Sequence, residues 1–133
     1  MALVPSRAQG QAAGCLSYDS TRVTLHGILT RMSFPVPAKY ENVRTRDKAE
    51  TYWFLKLEFP RCVNQDKSEP DLNPAQTNIK RVQLVLDPEM YKRYRNLVGK
   101  SVTVSGTLFG AHTAHHHTCV LLSVITLQPI HSE

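Results

Sequence analysis

Hydrophobic and polar residues alternate in several stretches of the chain, which is the pattern of β-strands with one buried face. In the first stretch, residues 22–33, Val23, Leu25 and Leu29 share one side, and polar residues occupy most of the other side. Four further stretches predict strands at 51–59, 79–86, 100–109 and 119–127. The last of these is apolar on both faces, so we expect it to be covered on both sides.

The second predicted strand carries most of the aromatic residues. Trp53 shares a face with Leu55, Leu57 and Phe59, and we expect that face to point into the core. Tyr52 and Phe54 lie on the opposite face and are candidates for an exposed surface. Pro60 is expected to end the strand, because proline cannot donate a ladder hydrogen bond.

One helix is predicted between the third and fourth strands. Asp87 is a suitable N-cap, Pro88 fits the first helical position, and Gly99 fits the position after the last turn. The element order is therefore β-β-β-α-β-β, which predicts a mainly β domain with one helix, built as a five-stranded OB-fold-like barrel. In such a barrel, loops 34–50 and 110–118 would flank one binding face. A plain α+β sandwich is the alternative.

Composition is consistent with a single domain. The chain has 133 residues, of which 41% are hydrophobic, and no apolar run is long enough to span a bilayer. We assign the domain to residues 15–128, with a short tail at 129–133. The formal net charge is +5, which favours acidic partners such as nucleic acid, anionic lipid or an acidic protein surface.

Residues 1–14 do not resemble a folded element. Small residues at 8–13 resemble the end of a secretory signal peptide, but no adequate apolar segment precedes them. The segment is interpreted as a leader remnant, an added segment or an ordinary disordered terminus. The same missing apolar segment disfavours lipid anchoring through Cys15.

Four of the six histidines fall in a short run between the last two predicted strands, at positions 112, 115, 116 and 117. His112, His115 and His117 could together bind a zinc or copper ion. Alternatively, the histidines make hydrogen bonds within a turn, or they contact a partner. No catalytic signature competes with this run: Ser105 and Ser123 lack a nucleophile motif, and Cys119 is paired with histidine only by sequence proximity. We therefore expect no enzymatic activity and no obligatory cofactor.

Several stretches together resemble a known family. They are Cys15–Tyr18, Val23–Gly27, Glu50–Trp53, Gly99–Phe109 and His112–Thr118. The most specific element is the string GTLF-x-AHT-x-HHHT, which spans Gly106–Thr118. The chain resembles, over roughly residues 15–128, a bacterial family of small exported proteins known as a domain of unknown function.

The resemblance implies a periplasmic location and a disulfide between Cys15 and Cys62. The family often has proline after the histidine run, where this chain has Cys119. Cys119 would then be an unpaired thiol, packed at the start of the last strand. The family itself implies no activity.

We interpret the chain as a non-catalytic binding protein whose partner is a protein, such as a toxic effector enzyme that it would inhibit as an immunity protein. Loops 34–50 and 60–78 or the histidine run would form the interface. The candidate contact residues are Tyr40, Arg44, Arg46, Tyr52, His115 and His116. A periplasmic metal-binding protein is the second hypothesis. An oligonucleotide binder, using the aromatic residues of the second strand, is the third, and an exported location disfavours it.

Overall fold

A computed structural model describes residues 14–19, 21–35 and 49–130. Five strands close into one barrel in the order β1-β2-β3-β5-β4, and every neighbouring pair is antiparallel except β3 and β5. The strands are β1 (Val23–Pro35), β2 (Ala49–Val63), β3 (Gln76–Val85), β4 (Ser101–Gly110) and β5 (Val120–Pro129). With one helix between β3 and β4, this is the OB-like barrel that the element order predicts, and the sandwich alternative is wrong.

The alternation of apolar residues places the core inside the barrel. Leu29, Leu55 and Val104 are completely inaccessible to solvent, and their neighbours along each strand point outward. On β5 the alternation separates the two faces. Leu122 lies in the core, whereas Leu121 is buried outside the barrel wall and Ile125 is 46% exposed. The expectation that β5 is covered on both sides therefore holds for its first half only.

The strand β2 does not end at Pro60. It continues to Val63, but its register with β3 shifts between Lys56 and Arg61. Such an irregularity tolerates a proline, because the ladder is already interrupted there. The shift also turns Phe59 outward, where it is 54% exposed, so the prediction that Phe59 points into the core is wrong.

The helix α1 (Pro88–Tyr94) covers one end of the barrel. Its N-cap forms as the sequence predicts, with the Met90 N–H donating to Asp87 Oδ1 at 3.0 Å. A 3₁₀ turn at Arg95–Leu97 follows. The edge of Trp53 meets the Tyr91 ring at 5.0 Å between centroids, which joins the helix to the core. No helix in the described segments is long and apolar enough to cross a membrane.

A disulfide between Cys15 and Cys62 fastens the N-terminal segment to the end of β2, as the family resemblance implies. Beside it, the Leu16 N–H donates to the Cys62 carbonyl at 2.7 Å. Cys119 is the free cysteine of the described chain. It lies in the loop before β5 and is exposed, so the expectation that it packs at the start of the last strand is wrong.

Candidate functional site

The segment from Gly110 to Cys119, here called the histidine turn, folds back over the outside of the barrel. Its base is closed by the Ala111 N–H, which donates to the Cys119 carbonyl at 3.1 Å. At its start the Gly110 N–H donates to Asn73 Oδ1 at 2.8 Å. A side chain at position 110 would collide with the Leu72 carbonyl oxygen, so this close approach requires glycine.

Gln83 of β3 holds the histidine turn against the barrel. Its side chain donates to the His115 carbonyl at 3.0 Å and accepts from the His117 N–H at 2.6 Å. Its own N–H donates to Thr118 Oγ1 at 3.0 Å. Gln83 is only 2% exposed. Its side-chain amide pairs with main-chain groups of the turn, as the backbone of a neighbouring strand would.

On one side of the turn, two histidines lie against aromatic residues of β1 and β2. The His117 ring stacks on Phe34 with 3.7 Å between centroids and an interplanar angle of 7°. Phe34 also contacts Phe54 at 6.0 Å, and Arg81 lies over the Phe54 ring at 5.1 Å. Phe54 is therefore completely buried, and the prediction that it forms an exposed surface is wrong because Phe34 and Arg81 pack against it.

Next to this stack, three polar side chains form a closed triangle. The Tyr52 hydroxyl donates to Glu50 Oε1 at 2.7 Å and lies 2.9 Å from His115 Nδ1, which is 3.0 Å from the same carboxylate oxygen. The hydrogen bond from Tyr52 and the contact with His115 lower the pKa of Glu50 below its ordinary value. The triangle ties the tip of the turn to the start of β2.

On the other side of the turn, His112 and His116 form a separate pair. Their ring centroids are 4.8 Å apart, and the His112 N–H donates to His116 Nδ1 at 3.0 Å. The edge of His116 also contacts the Phe109 ring. The structure thus separates His112 from His115 and His117, and no three metal-ligating side chains converge anywhere in residues 14–19, 21–35 and 49–130.

Burial lowers the pKa of both His116 and His117 below the ordinary value of 6.5, and neighbouring histidines lower it further. For His117 the Glu50 carboxylate opposes this effect. The Nε2 atom of His117 is buried and has no hydrogen-bond partner among the described residues. A neutral ring is therefore the form that the stacked arrangement favours.

A groove of about 1020 Å³ runs beside the turn along the outer wall of the barrel. Consecutive residues of β3, Gln76–Arg81, line one side of it, and the histidine turn lines the other through Ala111 and His116–Cys119. Thr30, Met32 and Lys56 complete the lining. Three cationic residues (Lys56, Lys80 and Arg81) therefore line the groove, and its lining by the described residues includes no aspartate or glutamate.

The structure brings together only part of the predicted contact set. Tyr52 and His115 meet in the triangle, and His116 lines the groove. Tyr40, Arg44 and Arg46 lie outside the described residues. Sequence reasoning missed Gln83 and Arg81, because a polar outward position on a strand gives no sign that a distant loop will cover it.

Comparison with protein families found one match, to a family described as a domain of unknown function (DUF4431), over residues 81–128. The match covers about a third of the chain, from the middle of β3 through the histidine turn to β5. The comparisons with curated proteins and with solved structures found no match. The similarity is therefore to a family without a described activity, and it includes the residues that build the turn.

Proposed function

We propose that this protein is an exported, non-catalytic binding protein whose groove receives an acidic region of a protein partner. The observation that carries the proposal is the charge of the groove, since Lys56, Lys80 and Arg81 line it and no carboxylate joins them in the part of the chain that the structure describes. Met32, which is partly exposed, adds apolar surface to the groove. Complementary charge steers association and selects partners, and apolar contacts provide affinity.

The position of the groove supports the same proposal. It lies on the wall of a rigid barrel and next to a loop that is held by hydrogen bonds, so little ordering is required when a partner binds. The Cys15–Cys62 disulfide supports export, because disulfides persist in oxidising compartments such as the periplasm. We propose that the partner is a toxic effector enzyme, which the protein inhibits by covering it.

The aromatic residues argue for a protein partner rather than an oligonucleotide. Binding of single strands relies on aromatic faces that are free to stack on bases. Here Phe54 is covered, the Phe34 ring is stacked on His117, and the Tyr52 hydroxyl is engaged by Glu50. The cationic groove remains, but the stacking surfaces that an oligonucleotide binder needs are occupied.

Affinity capture with matched variants tests this proposal. The bait is the full chain in three forms: wild type, Lys56→Glu with Lys80→Glu, and Lys92→Glu with Arg95→Glu. The last pair is an equal charge reversal at exposed cations that line a different concavity. We expect one periplasmic protein to bind the wild type and the control pair in a 1:1 complex, and not the groove variant.

The captured protein is then assayed for its own activity with and without the bait. Inhibition by the wild type and the control pair is the expected result. Equal capture by all three baits would refute the role of the groove, and capture without inhibition would refute the immunity role. Measured turnover of any substrate by the bait would refute a non-catalytic function.

A further inference from the structure

We infer that the groove takes an extended acidic segment of its protein partner, which pairs with an open edge of β3 as an added strand. This inference rests on the proposed function, because it specifies how the partner enters the groove. Its basis is the short ladder between β3 and β5. That ladder joins only Gln83–Val85 to Leu121–Ser123, although β3 begins at Gln76.

Within residues 14–19, 21–35 and 49–130, the first part of β3 therefore has a neighbouring strand on one side only. Residues 76–82 pair with β2, and the chain that would occupy the other side turns away before Val120 to form the histidine turn. An unpaired strand edge presents main-chain N–H and C=O groups to any extended peptide that reaches it.

The hydrogen bonds of Gln83 indicate which groups face this edge. The Gln83 N–H points away from β2, since it donates to Thr118 Oγ1. Arg81, Val82 and Gln83 pair with three consecutive residues of β2, so the strand is regular there. Because alternate residues of a strand direct their amide groups to the same side, the Arg81 amide faces the same edge as that of Gln83.

The groove includes the open edge and also extends over β1 and β2. It is bounded by residues 76–81 and by Thr118 and Cys119, where an earlier start of β5 would lie, and Thr30, Met32 and Lys56 line its remainder. The left-handed conformation of Asn78, with φ of 53°, and the register shift opposite Ile79–Arg81 interrupt the strand, so its regular part at this edge is short and begins at Arg81. Only a segment of a few residues would fit this length.

Charge specifies the chemistry of the added strand. Lys80 and Arg81 are both exposed at the edge, and Lys56 lies across from Arg81 in the β2 ladder. An added strand with acidic side chains would place carboxylates near these three cations. An acidic peptide can form hydrogen bonds with the main-chain groups of the edge and can also carry the complementary negative charge. A nucleic acid has no peptide N–H and C=O groups with which to pair.

The test begins with a displayed library of acid-rich ten-residue peptides, selected on the full chain. A selected peptide is synthesised with a fluorescent label, and its affinity is measured by fluorescence anisotropy. We expect Lys56→Glu with Lys80→Glu to weaken binding by about tenfold or more, and Lys92→Glu with Arg95→Glu to change it by less than about twofold.

The strand pairing is tested on the peptide, which avoids any effect on the fold. N-methylation removes the N–H groups of one edge of the peptide at a time. We expect methylation of one alternate set of residues to abolish binding and methylation of the other set to preserve it. Binding should also slow hydrogen exchange of the Arg81 amide.

Three results would overturn the inference. These are a library without any selected peptide, a selected peptide that tolerates both methylated sets, and a labelled oligothymidine that binds more tightly than the peptide. Capture of a partner through the cationic groove, together with any of these results, would leave the proposed function intact and refute only the added strand.

Discussion

At the scale of single residues, Gln83 illustrates how one buried polar side chain can fix a loop. Its amide serves the His115 carbonyl and the His117 N–H at the same time. In Gln83→Leu, both partners lose their hydrogen bonds while remaining partly buried, so we expect a loss of about 2 kcal/mol or more in the free energy of unfolding. Urea denaturation measures this loss.

The matched control for that experiment is Gln128→Leu, the same substitution at an exposed position on β5. It should leave the urea midpoint close to the wild-type value. NMR spectra of Gln83→Leu should in addition show altered signals for the histidine turn. An unchanged turn in that variant would contradict the role of the Gln83 amide.

A second prediction at this scale concerns pH. Burial lowers the pKa of His117 and His116 in the folded state, so the unfolded chain binds their protons first as the pH falls. Their neutral rings therefore stabilise the fold fully above pH 6.5, and this contribution is lost as the pH falls below 6.5 towards the lowered pKa.

His117→Phe should retain the stack on Phe34 and remove one titrating group. We expect its thermal midpoint to fall less than that of the wild type between about pH 7 and about pH 5. The control is His26→Phe at an exposed position, which should keep the wild-type pH profile. The hypothesis is wrong if His117→Phe and the wild type show the same profile.

At the scale of elements, the strands could be predicted because one face of each is buried in a single barrel. The alternation in β1 and β4 follows directly from that geometry. The end of β2 could not be predicted, since Pro60 is compatible with a strand only where the register shifts, and the shift depends on pairing with β3. The covering of Phe54 by Phe34 of β1 and Arg81 of β3 is equally non-local.

Gly106 is an example of a residue whose role depends on two elements. It lies where the register between β4 and β5 shifts, and a Cβ there would collide with the Ser123 carbonyl oxygen. Gly106→Ala should therefore force the two strands apart and cost about 1–3 kcal/mol of stability. Chemical denaturation tests this, with Ser101→Ala at the exposed start of β4 as the control. Equal midpoints for the two variants would contradict the close approach.

At the scale of the whole molecule, element order was sufficient to predict the barrel, because a single helix between the third and fourth of five strands is typical of the OB topology. The site was not predictable to the same degree. The histidine run was identified as the most unusual segment, but its four side chains separate into two pairs on opposite sides of a turn. His117 stacks on Phe34, which only the folded barrel brings close to it, whereas His112 and His116 contact Phe109, which is near them in sequence.

The disulfide is the feature whose loss should affect the whole fold. Cys15 and Cys62 are 47 residues apart in sequence, and closing a loop of that length stabilises the folded state by about 4 kcal/mol in the chain-entropy model. In a double Cys15→Ser, Cys62→Ser variant, the segment that carries Leu16 and Tyr18 would keep its packing against the core and its hydrogen bonds to residues 62, 64, 74 and 108. We expect a loss of that size in urea denaturation.

Two comparisons separate the crosslink from the effect of the substitutions themselves. Wild-type protein unfolded under reducing conditions should have the same midpoint as the double variant, whereas Cys119→Ser should match the oxidised wild type because Cys119 is a free, exposed thiol. If reduction leaves the wild-type midpoint unchanged, the disulfide does not contribute to stability. The proposal that the protein is exported would then lose its main physical support, because the disulfide is the feature of the fold that depends on an oxidising compartment.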